Sequence, residues 1–319
     1  MTSSATGTSI VFPDSSTRTT ALVFRYKNKA IFGYGTDAAT KYSLTNIVSN
    51  TGVPGTDITG VGTARSFPAG AGYGGDKAIF GYGFSTASVS MTNIVSDIGV
   101  VAADVTGVGS VRDALAAAGY GGDKAIFGYG FTTVNVSLTN LVSNVGVVAA
   151  DVTGVGTARR ELASATYGDD KAIFGYGFTT VQVSLTNLVS NVGVVALDVA
   201  GVGTARRGLA AAGYGVGRAI FGYGNTNITT QVSMTNQVSN VGVVATDTTG
   251  VGMSRGNLAA ASYGGDKAIF GFGSFYNNMT LTYYYVNSTN LVSNVGVVAT
   301  DIYYIGTGRS GLAAAGFGS

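Results

Sequence analysis

The 319-residue chain contains no cysteine, no histidine and no tryptophan. Without the first two it has no disulfide framework, no thiolate or imidazole metal ligand, and no catalytic triad with a histidine base. Charge is scarce too: Asp, Glu, Lys and Arg supply 11% of the residues, and the formal net charge is +2. So few and scattered charges provide no electrostatic footprint for nucleic acid or an acidic membrane surface. The amino-terminal stretch MTSSATGTSIVFPDSSTR lacks the basic region and apolar run of a secretory signal. No uninterrupted apolar segment reaches membrane-spanning length. A protein made in the cytoplasm, without a signal peptide and without membrane insertion, is expected.

What the chain has in excess is glycine, 50 residues of it. Collagen is excluded by the absent triplet period, and disorder by the 45% hydrophobic content. The glycines belong to a repeat. The hexapeptide AIFGYG starts at Ala30, Ala78, Ala125, Ala172 and Ala219 and returns as AIFGFG at Ala268, at steps of 48, 47, 47, 47 and 49 residues. An arginine before a small-residue run recurs at Arg18, Arg65, Arg112, Arg159, Arg206, Arg255 and Arg309, one copy more than the hexapeptide.

One unit, read from Arg112, contains four short strand candidates: LAAAGY, KAIFGYG, VSLTNLVSN and the DVTGVGT region. GYGGDK supplies the positive-φ residues of a tight hairpin between the first two. In the third, Val136, Leu138 and Leu141 occupy positions able to face a core. Four strands in about 47 residues is the period of a β-propeller; a parallel β-helix would have shorter coils and no hairpin in each repeat.

The arginine, small-residue strand, hairpin turn and KAIFGYG resemble the Kelch repeat. Gly-Tyr-Gly replaces the Kelch double glycine, and the tryptophan of the last strand is missing. The near-identical TNLVSNVGVVAADVTGVGTAR and GGDKAIFGYG segments are more similar to Kelch-like repeat proteins encoded by tailed phages, over about residues 18–319. That resemblance implies a virion-associated propeller.

The expected fold is therefore all-β: a six-bladed β-propeller of four-stranded antiparallel blades. The small-residue strands at 69–71, 115–118, 162–165, 209–212, 258–261 and 312–315 are six of a kind, whereas residues 21–24 read ALVF. Strand 312–317 is thus expected to complete the blade formed by residues 29–62, closing the ring. The domain is expected to span 27–319, with residues 1–26 as an arm or extra strand. In the alternative, a seven-bladed ring, the C-terminal strand opens an incomplete blade.

Periodic residues support every unit alike and make poor catalytic candidates. Asp57, Asp104, Asp151, Asp198, Asp247 and Asp301 share one register, and Asp76, Asp123, Asp170 and Asp266 another. Both sets are read as turn and strand-end caps, and the arginines as inter-strand or blade-to-blade anchors. The acids outside these registers are Asp14, Asp37, Asp97, Asp113, Glu161 and Asp169. No phosphate loop or EF-hand is present, and Asp169-Asp170 is read as a plain hairpin turn. No cofactor, no metal and no catalytic residue is expected.

The last unit departs most from the rest. Its insertion, SFYNNMTLTYYYVNST, carries Phe275, Tyr276, Tyr283, Tyr284 and Tyr285; Tyr303 and Tyr304 replace the usual Thr-Gly further on. These seven aromatics are the candidate binding residues, since tyrosine joins a rigid apolar face to a hydroxyl. The alternative is that the rings pack together and lengthen one hairpin. Asn278 and Asn287 fall in glycosylation-type sequons. The expected function is a non-catalytic structural or adhesive phage virion protein, such as a fibre, tail or capsid appendage. It would bind a host-surface glycan or protein, or other virion proteins, and be displayed in several copies. The alternatives are a cytosolic Kelch-type interaction module and a glycan-active enzyme.

Overall fold

A computed structural model describes residues 10–11, 17–18, 27–304 and 306–318. The proposed arm, 1–26, lies outside the described residues except for a pairing of Ile10–Val11 with Thr17–Arg18. The rest is an all-β repeat of antiparallel sheets. A leading strand pairs with a middle strand, and that with a third. In the second sheet these are Ala69–Tyr73, Lys77–Gly81 and Thr92–Val95. Next come Ala116–Tyr120, Lys124–Gly128 and Thr139–Val142, then Ala163–Tyr167, Lys171–Gly175 and Thr186–Val189. The fifth sheet has Ala210–Tyr214, Arg218–Gly222 and Thr235–Val238; the sixth has Ala259–Tyr263, Lys267–Gly271 and Ser288–Val292.

The first sheet joins the two ends of the chain. The C-terminal strand Ala313–Phe317 is the leading strand for Lys29–Gly33 and Thr45–Val48, in the register Ala313↔Gly33 through Phe317↔Lys29. The expectation that this strand completes the 29–62 sheet is met. The fourth strand differs from expectation. Ile302–Tyr303 forms one in the sixth sheet, whereas elsewhere it shrinks to isolated bridges such as Thr92↔Val105 and Thr139↔Val152. The DVTG segment spends its side chains on the neighbouring unit instead.

Each leading strand lies beside the leading strand of the next sheet, and Ala313–Phe317 touches both Ala69–Tyr73 and Ala259–Tyr263. Small residues permit this approach. A Cβ on Gly316 would stand 2.7 Å from the Ser262 carbonyl oxygen, and one on Gly72 the same distance from that of Gly316. At one end, backbone N–H groups of Phe67, Ala114, Glu161, Gly208, Asn257 and Gly311 donate to the carbonyls of Gly311, Phe67, Ala114, Glu161, Gly208 and Asn257 in turn. At the other end the hairpin turns are linked likewise, from Gly74 N–H to Asp123 O through to Gly318 N–H to Asp76 O.

Adjacent sheets are held by one joint in six copies. Arg65, Arg112, Arg159, Arg206, Arg255 and Arg309 are fully buried. Each guanidinium lies over the hexapeptide aromatic of the preceding sheet, 4.0–4.5 Å from the ring centre, and donates to an asparagine of its own sheet at 2.5–2.6 Å. That asparagine donates to the periodic aspartate, which stands 3.3–3.8 Å from the guanidinium. The aspartate in turn accepts from the loop just before the arginine, as Asp104 does from the N–H and hydroxyl of Thr63. These aspartates therefore tie the loop leading into a sheet back onto that sheet's outer edge, rather than capping turns. Arg309, over Phe272 and bonded to Asn46, repeats the joint between the sixth sheet and the first. Burial lowers the Arg309 pKa to about 10, which leaves it charged at neutral pH.

The hexapeptide completes the joint. The aromatic after its first glycine sits at φ of 61–67°, a left-handed conformation that costs a non-glycine residue about 1–2 kcal/mol. Its ring meets the phenylalanine of the next sheet edge-on or tilted, at 5.1–5.4 Å, through all six sheets including Phe272 onto Phe32. The glycine before it must lack a side chain: a Cβ on Gly175 would stand 2.6 Å from Phe221. In the third strand the fully buried residues are Thr139, Asn140 and Val142, while Val136, Leu138 and Leu141 are half-buried.

Two outcomes follow. Gly175→Ala forces Phe221 aside and lowers unfolding free energy by about 1–3 kcal/mol, whereas Asn187→Ala leaves one amino group of the buried Arg159 guanidinium without its acceptor and costs about 3 kcal/mol, both read from urea denaturation. For Asp57, Asp104, Asp151, Asp198 and Asp247, burial pushes the carboxyl pKa upward, but hydrogen bonds and the nearby arginine outweigh it, leaving each below its usual value. Folded values below unfolded ones mean that this stability is complete above about pH 4 and is lost as pH falls through the folded values. Asp198→Asn should flatten that acid limb when urea midpoints are measured between neutrality and about pH 2.

Candidate functional site

Because the repeats are nearly literal, the places where units differ can be read within the one chain. The turns and loops at the hairpin-turn end vary less, with TYGDDK and GYGVGR in place of GYGGDK and SNTGVPG in place of SNVGVVA. At the opposite end, the two positions after each buried arginine read Ser-Phe, Asp-Ala, Arg-Glu, Arg-Gly, Gly-Asn and Ser-Gly, and the loops after the middle strands diverge as well. Isolated bridges fix the first of these positions against those loops, pairing Asp113 with Phe131, Arg160 with Phe178, Arg207 with Asn225 and Gly256 with Ser274.

Two of the non-periodic acids meet here. Glu161 lies 3.6 Å from Arg160 and 3.4 Å from Arg207, and Asp113 accepts from the Ser88 hydroxyl at 2.6 Å. Arg160 stands over Phe131 and Phe178, and Arg207 over Phe178. Burial pushes the Glu161 carboxyl up, against the pull of Arg207 and Arg160, and the Asp113 charge adds to the rise. Asp113 is raised by burial too, with Ser88 and Arg160 opposing. The Arg207 Nε is buried and has no hydrogen-bond partner among the described residues. The sequence signal for this cluster is the doubled arginine at 159–160 and 206–207, which the landmark arginine conceals. Asp37 accepts from Tyr42 in a separate exposed loop, Asp169 occupies a left-handed turn position at the other end, and Asp14 lies outside the described residues.

The insertion of the last unit folds as a hairpin, Ser274–Asn277 against Thr282–Tyr285. Phe275 stacks on Tyr284 with centroids 5.4 Å apart, and Tyr276 meets Tyr283 edge-on at 5.1 Å. The rings do pack together and lengthen the hairpin, yet Tyr283 and Tyr284 remain about two-fifths exposed, and Met279 at the tip is 93% exposed. The hairpin leans on the fifth unit: Tyr283 donates to the Ile228 carbonyl at 2.5 Å, and the Tyr276 N–H to Gln231 at 2.9 Å. Burial raises the Tyr283 hydroxyl pKa, opposed by the charge of Arg207. The loop that accepts its hydrogen bond includes Asn225, which pairs with Arg207.

The seven aromatics therefore do not form one group. Phe275, Tyr276, Tyr283, Tyr284 and Tyr285 share the hairpin. Tyr303 pairs with Ser288 on the outer strand of the sixth sheet, and the Tyr304 carbonyl accepts from Asn287. Asn287 of the second sequon is half-buried and engaged, while Asn278 is exposed in the hairpin turn. Among the described residues no group of three or more acidic side chains is placed to hold a metal ion. The arrangement offers guanidinium donors, stacked aromatic planes and a partly exposed tyrosine ridge, which suits recognition of a polar ligand with flat apolar faces.

Removing the Tyr283 hydroxyl tests the hairpin's seating: Tyr283→Phe should cost about 1 kcal/mol in urea denaturation and quicken amide exchange across 274–285. No family model matches the chain, and no curated protein is significantly similar to it.

Proposed function

We propose that the six sheets close into a six-bladed β-propeller whose variable end is a non-catalytic adhesive surface for a glycan. Support for closure comes from the sixth copy of the arginine joint, Arg309 with Phe272 and Asn46, and from the two series of backbone hydrogen bonds that lead back to their starting units. One observation carries the binding reading: individuality among near-identical units concentrates at one end, where the tyrosine hairpin leans on the 225–231 loop that pairs with Arg207, and Arg207 shares Glu161 with Arg160. Aromatic rings stack on sugar faces, and guanidinium groups grip hydroxyl or carboxylate oxygens. The likeness of the repeats to Kelch-like repeats of tailed phages suggests the setting: a virion surface, with the ligand on a host cell or a neighbouring virion protein. The joint aspartates have structural partners, and this favours binding over catalysis.

Glycan-array binding tests this reading. Tyr283→Ala with Tyr284→Ala, and separately Arg207→Ala, should each weaken the retained glycans at least about tenfold, equivalent to about 1.4 kcal/mol. Unchanged binding by both variants would remove the site. Turnover of a bound polysaccharide, abolished by Glu161→Gln, would replace adhesion by hydrolysis.

A further inference from the structure

The hairpin-turn end carries an apolar surface that the fold leaves uncovered. Each loop after the third strand packs on the turn of the preceding sheet, as Gly146 does against the Tyr73 hydroxyl. Two aliphatic positions per loop then face outward, except in the first loop, where Thr51 takes the first of them. Ile98, Val145, Val192, Val241 and Val295 are 61–71% exposed, and the residues two positions on, from Val53 and Val100 to Val297, are 55–65% exposed. Val216, in the variant turn of the fifth unit, is 83% exposed. These side chains recur in one register of the repeat and at one end, rather than singly.

We infer that this face binds the same face of a second copy of the chain, giving a two-fold stacked pair with the variable ends pointing away from each other. Two features select that occupant. The exposed pair recurs in the register of the repeat, so a partner that covers all of it must repeat in step, and another copy does so by construction. The turns between the loops carry Asp76-Lys77, Asp123-Lys124, Asp170-Lys171 and Asp266-Lys267, both signs side by side at 2.7–3.1 Å. A surface of alternating charge is its own complement under a two-fold axis, and an isologous interface requires such self-complementarity. The annular arrangement rests on the ring closure proposed above. The stacked pair presents its two variable ends in opposite directions, a geometry that bridges two ligand-bearing surfaces.

Sedimentation velocity of the full chain across the micromolar range tests the inference. A concentration-dependent dimer is expected. It should disappear in Val145→Asp/Val192→Asp/Val241→Asp, and persist in Tyr283→Ala/Tyr284→Ala, which separates its failure from that of the glycan site. Thermal melting checks that the aspartate variant keeps its fold. A second readout needs no variant: in the unaltered chain, amide exchange across 143–149, 190–196 and 239–245 should slow as concentration rises through the dimer range, while exchange across 131–135 at the opposite end should not. A monomer at every concentration, a dimer that survives the aspartates, or slowing at 131–135 rather than in the three loops would overturn the inference. So would partitioning of the chain onto phosphatidylcholine vesicles in place of self-association.

Discussion

Everything in this structure depends on how one sheet is fixed to the next, and that is done by a buried guanidinium. A charge without water must find hydrogen-bond acceptors and a polarizable face, or its desolvation outweighs anything gained. Arg206 has the Tyr176 ring beneath it, Asn236 and the Tyr223 carbonyl as acceptors, and Asp247 within 3.7 Å. The ring belongs to one sheet and the acceptors to the next, so satisfying the charge and docking the sheets are a single event. An apolar contact would permit sliding; a planar fork with fixed acceptors sets the angle as well as the distance.

The joint explains the composition. The units are joined without a disulfide, and six of the chain's arginines and six of its aspartates are committed to the joint. The hexapeptide reads as its mating surface: a phenylalanine inserted toward the preceding sheet, a glycine that makes room for the next phenylalanine, and a strained aromatic under the arginine. Arg65 and Arg112 meet the same requirement less completely, with Nε unpaired among the described residues, so the six copies are not of equal strength.

Much of the fold was legible in the sequence for the same reason. A repeat with a fixed step exposes strand order, turn position and the completion of the first sheet by residues 313–317, because near-identical units must fold alike. The fourth strand was not legible: DVTG has strand-forming residues, but its aspartate is drawn to a loop some 41 positions back in the chain, as Asp151 is to Ser110. Nor does alternation reveal that Asn140, rather than Leu138, takes the fully buried place, since burying an amide is rational only once its partner Arg112 is known.

The candidate site was half legible, and the missing half is instructive. The tyrosine hairpin announces itself by insertion, and length differences are easy to see. The Arg160, Glu161 and Arg207 cluster hides behind the repeat, because Arg160 and Arg207 follow arginines that are themselves periodic. A side chain one position past the buried arginine emerges at the mouth instead of entering the joint, so the same residue type has opposite meanings at adjacent positions. Arg206 is fully enclosed and neutralised by its own unit; Arg207 pairs with the loop on which the tyrosine hairpin leans and shares Glu161 with Arg160. Arg207 keeps about a fifth of its side chain exposed and its charge is shared through one carboxylate, whereas Arg206, one position earlier, is committed entirely to docking two sheets.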